Sequence, residues 1–484
     1  MTALGIGIVL VLAAPTDPDA DKFAAAVREV HQTLEAKSIV RPSPSRLAKL
    51  SLRGLYKAHG QELPDDLCER LKNEKATGAE LRALLRDGYR CLAAHHEMTV
   101  ETAVDDAILF TLKAIDPHAS WQTSDFSCEL TTIGLAGVGV ELRLDAKTGM
   151  PTVVTPIKDG PAYRAGVRAG DIITHVTPLR DCEVNPDIEE NPQATAGAGL
   201  PQVYRWLLGP ADSRVVLTVR RAGVKEPLPL YMRCGGVRID TVHGWRRKDD
   251  DSWDFQLDKE KKIGYLRIRQ FGVGTPEELE NALKEMEAQG ARGVILDLRF
   301  CEGGLLGQMI QASALFLDTG DLVTKVQYRE YPSDEYFCKD SKRRKDMKVV
   351  CLINGQTASA AELFAAALQD HQRAVIVGQR SCGKGSVQRV ESINDHDLTF
   401  TMAVLLRPNG KKRARIELSG RDADEWGVVP DAANVVQLEP KEQDALKEYL
   451  DRRRIIPRRD VPVKEPPAFK DRQLQGALDV LWQR

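Results

Sequence analysis

From residue 260 onward, short apolar runs alternate with amphipathic stretches of helical period. KIGYLRIRQF, GVILDLRF, VVCLING and AVIVG each read as a strand, and TPEELENALKEMEAQG, the stretch after Gly303-Gly304 and SAAELFAAALQDH read as helices between them. Parallel neighbours need a crossover, so this alternation predicts an α/β layer on a largely parallel sheet. Successive strands of such a sheet end on one edge, and loops far apart in sequence meet there. LTFTMAVLLRPNGKK predicts a hairpin-like pair added to this layer.

The flanks have other periods. Residues 20–112 place apolar side chains at helical spacing, with acidic residues early in each segment. From about 124 to 236, GLAGVGVELRLD, PTVVTPI and SRVVLTVRR alternate like strands, with short helices at GPAYRAG and LPQVYRWLLG. DCEVNPDIEENPQATAGAG is polar, rich in Pro and Gly, and predicts a loop. The tail from 438 is charged and ends in the amphipathic segment DRQLQGALDVLWQR. At 484 residues the chain is too long for one ordinary domain. Its net charge of −2 provides no basic field for nucleic acid. The nine cysteines form no C-x-x-C pair and match no zinc spacing, which suits buried small hydrophobes, and a Cys182–Cys234 disulfide has no support from the sequence. Ala3–Ala14 is apolar and of export-signal length, too short to span a bilayer, although no Lys or Arg precedes it. Export is the expectation, with a buried N-terminal strand as the alternative.

Candidate chemistry falls at strand-to-helix junctions. In NGQTASAAELFAAAL a strand stops at Asn354-Gly355 and a helix begins near Ser359. Thr357 or Ser359 could simply cap that helix. Ser359 could also be a nucleophile held where helix N–H groups stabilise an oxyanion. No G-x-S-x-G elbow supports a Ser-His-Asp triad, and the sequence brings no histidine to Ser359. Lys384, in RSCGKGSVQ, follows the next strand, so its loop can lie beside Ser359. A solvated lysine is one reading, and a phosphate loop is disfavoured because the G-x-x-x-x-G-K-[ST] spacing is missing. A buried lysine is the third, since burial disfavours its charged form and lets it act as a base. In DLRFCEGGLL, Gly303-Gly304 let the backbone approach a substrate closely, or form a plain turn.

Together these motifs resemble the carboxyl-terminal processing peptidases, or tail-specific proteases. The resemblance runs from DPHAS at 116–120 to WGVVPD at 426–431 and includes IGYLRIRQF, ILDLRFCEGGLL, TASAAELFAAALQD, VGQRSCGKGSVQ and the final LQGALDVL. It implies Ser359 as nucleophile, Lys384 as general base and Gln388 as the residue that orients the lysine. It implies Gly303 and Ala360 as oxyanion donors, and no metal or cofactor. GLAGVGV is similar to the carboxylate-binding loop of a PDZ domain, which implies that Gly137, Val138 and Gly139 receive a chain end while the peptide adds as a strand. The insertion 181–198, and Cys301-Glu302 where the family often has Asn-Asn or Asn-Pro, depart from the pattern.

The expected architecture is an α/β multidomain chain. A signal segment (1–19) precedes a helical N-terminal region (20–123). A PDZ-like β-rich domain (124–237) is inserted before a ClpP/crotonase-like α/β protease core (238–437), and a tail and helix (438–484) follow. The expected function is a serine endopeptidase, exported to the periplasm or another extracytoplasmic space, that cuts polypeptides with accessible C-termini. Family relatives often move the PDZ domain between resting and active arrangements and often oligomerise. By that analogy the 20–112 and 438–484 regions are the candidates for homo-oligomer assembly, and an activating partner is expected. The competing readings are a catalytically inactive PDZ scaffold or sensor and, more weakly, an acyl-transfer or hydratase-like enzyme on the same layer.

Overall fold

The computed structural model describes residues 17–123, 136–179, 191–329, 331–410, 426–458 and 469–483. The expected signal segment up to residue 16, Gly134 and Leu135 of the glycine loop, and residues 181–190 of the insertion lie outside them. The chain divides into two compact units that do not follow chain order: 326–333 and 386–405 group with the N-terminal helices.

In the first unit, helices Pro18–Lys37, Pro44–Ala58, Gly78–Ala93 and Val100–Ile115 are each entered through a capping side chain. Asp17, Ser43, Thr77 and Thr99 accept from the N–H groups of Ala20, Arg46, Glu80 and Thr102, which satisfies donors the helix itself cannot. Their apolar stripes meet in one core with Phe23, Leu47, Leu85 and Ile108 fully buried. Ile393, Leu398 and Phe400 complete that core, which explains why 386–405 groups with the helices. His396–Leu406 is a single strand. Its hairpin partner is Ser386–Ile393 before it, and on its other side it pairs with Ser120–Thr123. The expected pair within 398–412 runs into residues 411–412, which lie outside the described residues.

Among the described residues the second unit holds two six-stranded sheets and two two-stranded ones. One six-stranded sheet is antiparallel, with the main order Val140–Leu144, Pro151–Pro156, Ile172–Leu179, Arg214–Arg220, Leu228–Arg233 and Val140–Leu144 at an edge. Its apolar face packs on helix Leu200–Leu207 through Val203 and Leu207. Cys234 is buried and free, and Cys182 lies outside the described residues.

The other six-stranded sheet contains four parallel strands, Ile263–Ile268, Gly293–Asp297, Lys348–Ile353 and Val375–Gly378. Almost every residue in them is buried, the signature of a parallel sheet covered on both faces. Ile263, Tyr265, Ile295, Val350, Leu352, Val375 and Val377 pack against Leu474, Ala477 and Leu481 of the final helix Arg472–Gln483. The apolar face of that helix is therefore covered by its own chain.

The final helix is also tied down by charge. Arg299, with no exposed surface, donates to both oxygens of Asp297 and both of Asp471, and to Gln473. Asp471 in turn accepts from the Leu474 N–H. Burial pushes the Asp297 carboxyl up, but the Arg299 charge and the bonds from Arg299 and Tyr265 more than offset this and hold it below the ordinary value.

Arg299→Ala is expected to lower stability by roughly 3–5 kcal/mol in urea unfolding at neutral pH, because it leaves two buried carboxylates unpaired. A carboxyl whose folded-state pKa is depressed stabilises above its unfolded value and loses that contribution as pH falls. The gap between wild type and variant should therefore narrow below about pH 4. A gap independent of pH would contradict this account of the network.

Candidate active site

Three loops leave the carboxyl edge of the parallel sheet side by side, as the order 293–297, 348–353, 375–378 requires. The first turns at Phe300 (φ 61°), Gly303 (φ 103°) and Gly304 (φ 132°). The second is locked by Thr357, whose hydroxyl accepts from the Asn354 N–H at 3.0 Å and donates to Leu298 O at 2.9 Å. Thr357 therefore holds a turn and does not cap the helix. Backbone bonds join the loops, Ala358 N–H to Cys301 O and Cys382 N–H to Thr357 O, both at 2.9 Å.

Ser359 enters helix Ala360–Asp370 with φ 55° and ψ −123°, and its hydroxyl makes no side-chain capping bond. A non-glycine residue held there costs on the order of 1–3 kcal/mol, so the surroundings must enforce it. They do so through Glu362, which has no exposed surface. Its Oε2 accepts from the Ser359 N–H at 3.0 Å and from the Lys384 N–H at 2.8 Å. Its Oε1 accepts from the Gly383 N–H at 2.7 Å and from the Ser381 hydroxyl. Two bonds to one oxygen keep the backbone nitrogens of Ser359 and Lys384 within the sum of those lengths. A buried carboxylate is costly unless its lone pairs are filled, and here four donors fill them beside a helix N-terminus that favours negative charge. Ser359 and Lys384 are both partly buried.

Gly303 touches the same spot. A Cβ there would lie 2.8 Å from Ala358 O, from Ala360 N and from Ser359 Cβ, so only glycine fits. Ala360 N–H has no backbone acceptor among the described residues. Burial pushes the Cys301 thiol up to about 12, opposed by a hydrogen bond from the Gly303 backbone to the sulfur. That bond is to a weak acceptor, which an oxyanion can displace.

Gln388 lies at a register shift in the Ser386–Ile393 strand, and its amide donates to Ser386 Oγ at 2.8 Å and Thr401 Oγ1 at 3.4 Å. The histidines that share a unit with Ser359 are His175, His243 and His371, and none is in the three loops; His371 closes the far end of the helix and bonds to Leu322 O at 2.8 Å. Among the described residues no group of three or more His, Cys, Asp or Glu is placed to hold a metal ion.

The expected carboxylate loop lines a cavity of about 470 Å³ whose walls include Gly137, Val138, Gly139, Glu141, Leu207, Arg269 and Arg454. Two of the three N–H groups of this loop are already bonded. The Gly137 N–H already donates to Gly235 O at 3.0 Å and the Val138 N–H to Leu207 O at 3.2 Å. In this conformation neither is free to receive a chain end. Gly139 (φ 76°) makes the turn into the edge strand.

The fold and these loops define an α/β protein with a strained serine, a lysine and a close-approach glycine gathered at one sheet edge. Residues 262–432 match the model of Peptidase family S41. Over 315 residues the chain is 31% identical to the carboxy-terminal-processing protease of Bartonella bacilliformis, covering 63% of this chain and 66% of that one. It is 29% identical over 311 residues to the carboxy-terminal processing protease CtpA of Bacillus subtilis, covering 64% and 61%. The chain thus spans less than two thirds of the length of these relatives. A solved structure of a photosystem II D1 C-terminal processing protease overlaps 88% of this chain and 94% of its own, with a TM-score of 0.43 and 25% identity. The chain is similar to peptidase family S41 over residues 262–432, and to carboxy-terminal processing proteases over a wider stretch.

Glu362 was missed as a functional residue, although S-x-x-E before an apolar run is a capping-box signal. Its reach to 381–384 has no local signature. Glu362→Gln places an NH₂ against N–H donors and is expected to destabilise by roughly 2–4 kcal/mol in denaturant unfolding. A change under about 0.5 kcal/mol would show that the carboxylate does not hold the loops.

Proposed function

We propose that the chain is an exported serine endopeptidase that cuts polypeptides near their carboxyl ends. Ser359 is the nucleophile, Lys384 the general base, Gln388 the residue that orients it, and the antiparallel unit around 136–237 a PDZ-like module that captures the substrate tail. The observation that carries this reading is the shared Glu362 oxygen beneath Ser359 and Lys384. The likeness of residues 262–432 to peptidase family S41 supports the hydrolase class. The edge position of Val140–Leu144 suits addition of a peptide strand.

In this mechanism Lys384 Nζ takes the Ser359 hydroxyl proton as Oγ attacks the scissile carbonyl. Charge develops on the carbonyl oxygen beside the N–H groups of Ala360 and Gly303, at the positive end of the helix. Lys384 returns the proton to the leaving amine, so the carboxyl-terminal fragment departs and an acyl-enzyme remains. Water, deprotonated by Lys384, then releases the acyl group. Ser359's enforced backbone means the hydroxyl need not be reoriented at the moment of reaction. Polypeptides with accessible C-termini are the substrates. Extracytoplasmic location accords with the apolar N-terminal segment, and among the described residues no helix is long and apolar enough to cross a membrane.

Ser359→Ala and Lys384→Ala should each lower cleavage of an unstructured protein by at least about 10³-fold while the thermal midpoint stays near that of wild type. Lys384→Arg should be equally inactive, because arginine keeps the charge and cannot give up its proton. Substantial turnover by the arginine variant would remove Lys384 as the base.

A further inference from the structure

The cavity beside Gly137–Glu141 carries cations that its own acids do not balance. Lys158, Arg247, Arg269 and Arg454 line it, and its wall includes the two acids Glu141 and Asp240. Both are engaged. Glu141 takes both terminal nitrogens of Arg454. Asp240 accepts from Trp253 Nε1 at 3.1 Å and pairs with Arg247 at 3.6 Å. Lys158 pairs with Asp159 at 3.2 Å. The Arg269 side chain has no hydrogen bond or ion pair among the described residues.

The ground behind it is also cationic. Arg267 is 5% exposed, its Nε and Nη1 make no hydrogen bond, and its ion pair to Asp451 spans 3.8 Å. Burial first, and then the charges of Arg269, Arg267, Arg247 and Arg454, hold His243 well below its ordinary value, so it remains neutral. Burial first, and then the Arg454 charge, push Arg269 down, although the carboxylates of Glu141 and Asp451 oppose them. An anion reaching Arg269 relieves this repulsion and fills a planar fork of donors in a partly desolvated place.

The rest of the cavity selects the anion. Val138, Val140, Ile157, Leu207, Val237 and Ile239 give it apolar walls, and its volume suits a few residues of an extended chain. Val140 and Glu141 open the edge strand, which has one sheet partner and whose Leu142 N–H donates to the Tyr204 hydroxyl at 3.0 Å, a bond an added peptide strand would have to replace or bypass. A free phosphate would use the charge and leave the apolar walls and the strand edge empty. A peptide end uses all three.

We propose that Arg269 binds the terminal α-carboxylate of a polypeptide whose last residues run along the Val140–Leu144 edge, with the final side chain against the apolar walls. This rests on the reading of the antiparallel unit as a tail-capturing module. It gives a guanidinium the part that the spent N–H groups of Gly137 and Val138 cannot play.

The test uses the full chain carrying Ser359→Ala, so that no peptide is cut, and fluorescence anisotropy of a labelled peptide of about ten residues ending in Ala-Val-Leu. Amidating its C-terminus should weaken binding at least about tenfold, and less than about twofold when Arg269→Gln is added. Arg269→Lys, which keeps the charge but not the fork, should fall between them and serves if the glutamine variant does not fold. Equal penalties with and without Arg269, or no penalty with it, overturn the proposal. So does full recovery of affinity by an amidated peptide ending in Asp, which would make the site a reader of any carboxylate. Cleavage by the chain with Ser359 intact separates the two claims. Cleavage indifferent to tail amidation removes the tail site and leaves the peptidase, whereas amide-sensitive binding without cleavage does the reverse.

Discussion

One buried carboxylate organises the carboxyl edge of the parallel sheet. Glu362 has no exposed surface, and its two oxygens accept from four donors on two segments that share no local sequence pattern. Without it, the first turn of helix Ala360–Asp370 and the loop 381–384 would present N–H groups to each other and a hydroxyl to a helix N-terminus. With it, a strained serine and a lysine share one oxygen through their backbones. The side chains of Ser359 and Lys384 are left unencumbered because the main chain beneath them does the holding.

That arrangement depends in turn on the rigidity of the sheet edge. Four parallel strands buried on both faces fix where the three loops begin, and the Asp297–Arg299–Asp471 network fastens the final helix over one face. Asp297 ends a strand that leads into the Gly303 loop, and Asp471 precedes the helix that covers the sheet. A buried ion network is weak evidence of net stability, but removing one partner from it is costly, which makes it a device for defining position.

Much of this was legible in the sequence, for identifiable reasons. The parallel strands announced themselves as uninterrupted apolar runs, and the junctions at Gly303, Ser359 and Lys384 stood out because glycine and small polar residues cluster where a strand turns into a helix. What was not legible was partnership. Ile393, Leu398 and Phe400 are good strand residues with any neighbour, and nothing local assigns them to the helical core. The final helix showed an apolar stripe but not that the sheet of its own chain covers it. Gly137 and Val138 matched a loop pattern, yet a pattern of side chains does not reveal whether a backbone N–H is already spent. Arg247, Arg269 and Arg454 form no motif at all, and only the folded chain gathers them around one cavity.

The central claim is that Ser359 and Lys384 act as one pair. It is tested most directly by a crystal structure of the chain treated with a serine-reactive phosphonate. The account predicts phosphorus bonded to Ser359 Oγ, Lys384 Nζ within about 3.2 Å of that oxygen, and the phosphonyl oxygen facing the N–H groups of Ala360 and Gly303. A covalent adduct on another residue, or a Lys384 ammonium turned to solvent in the labelled enzyme, would contradict it.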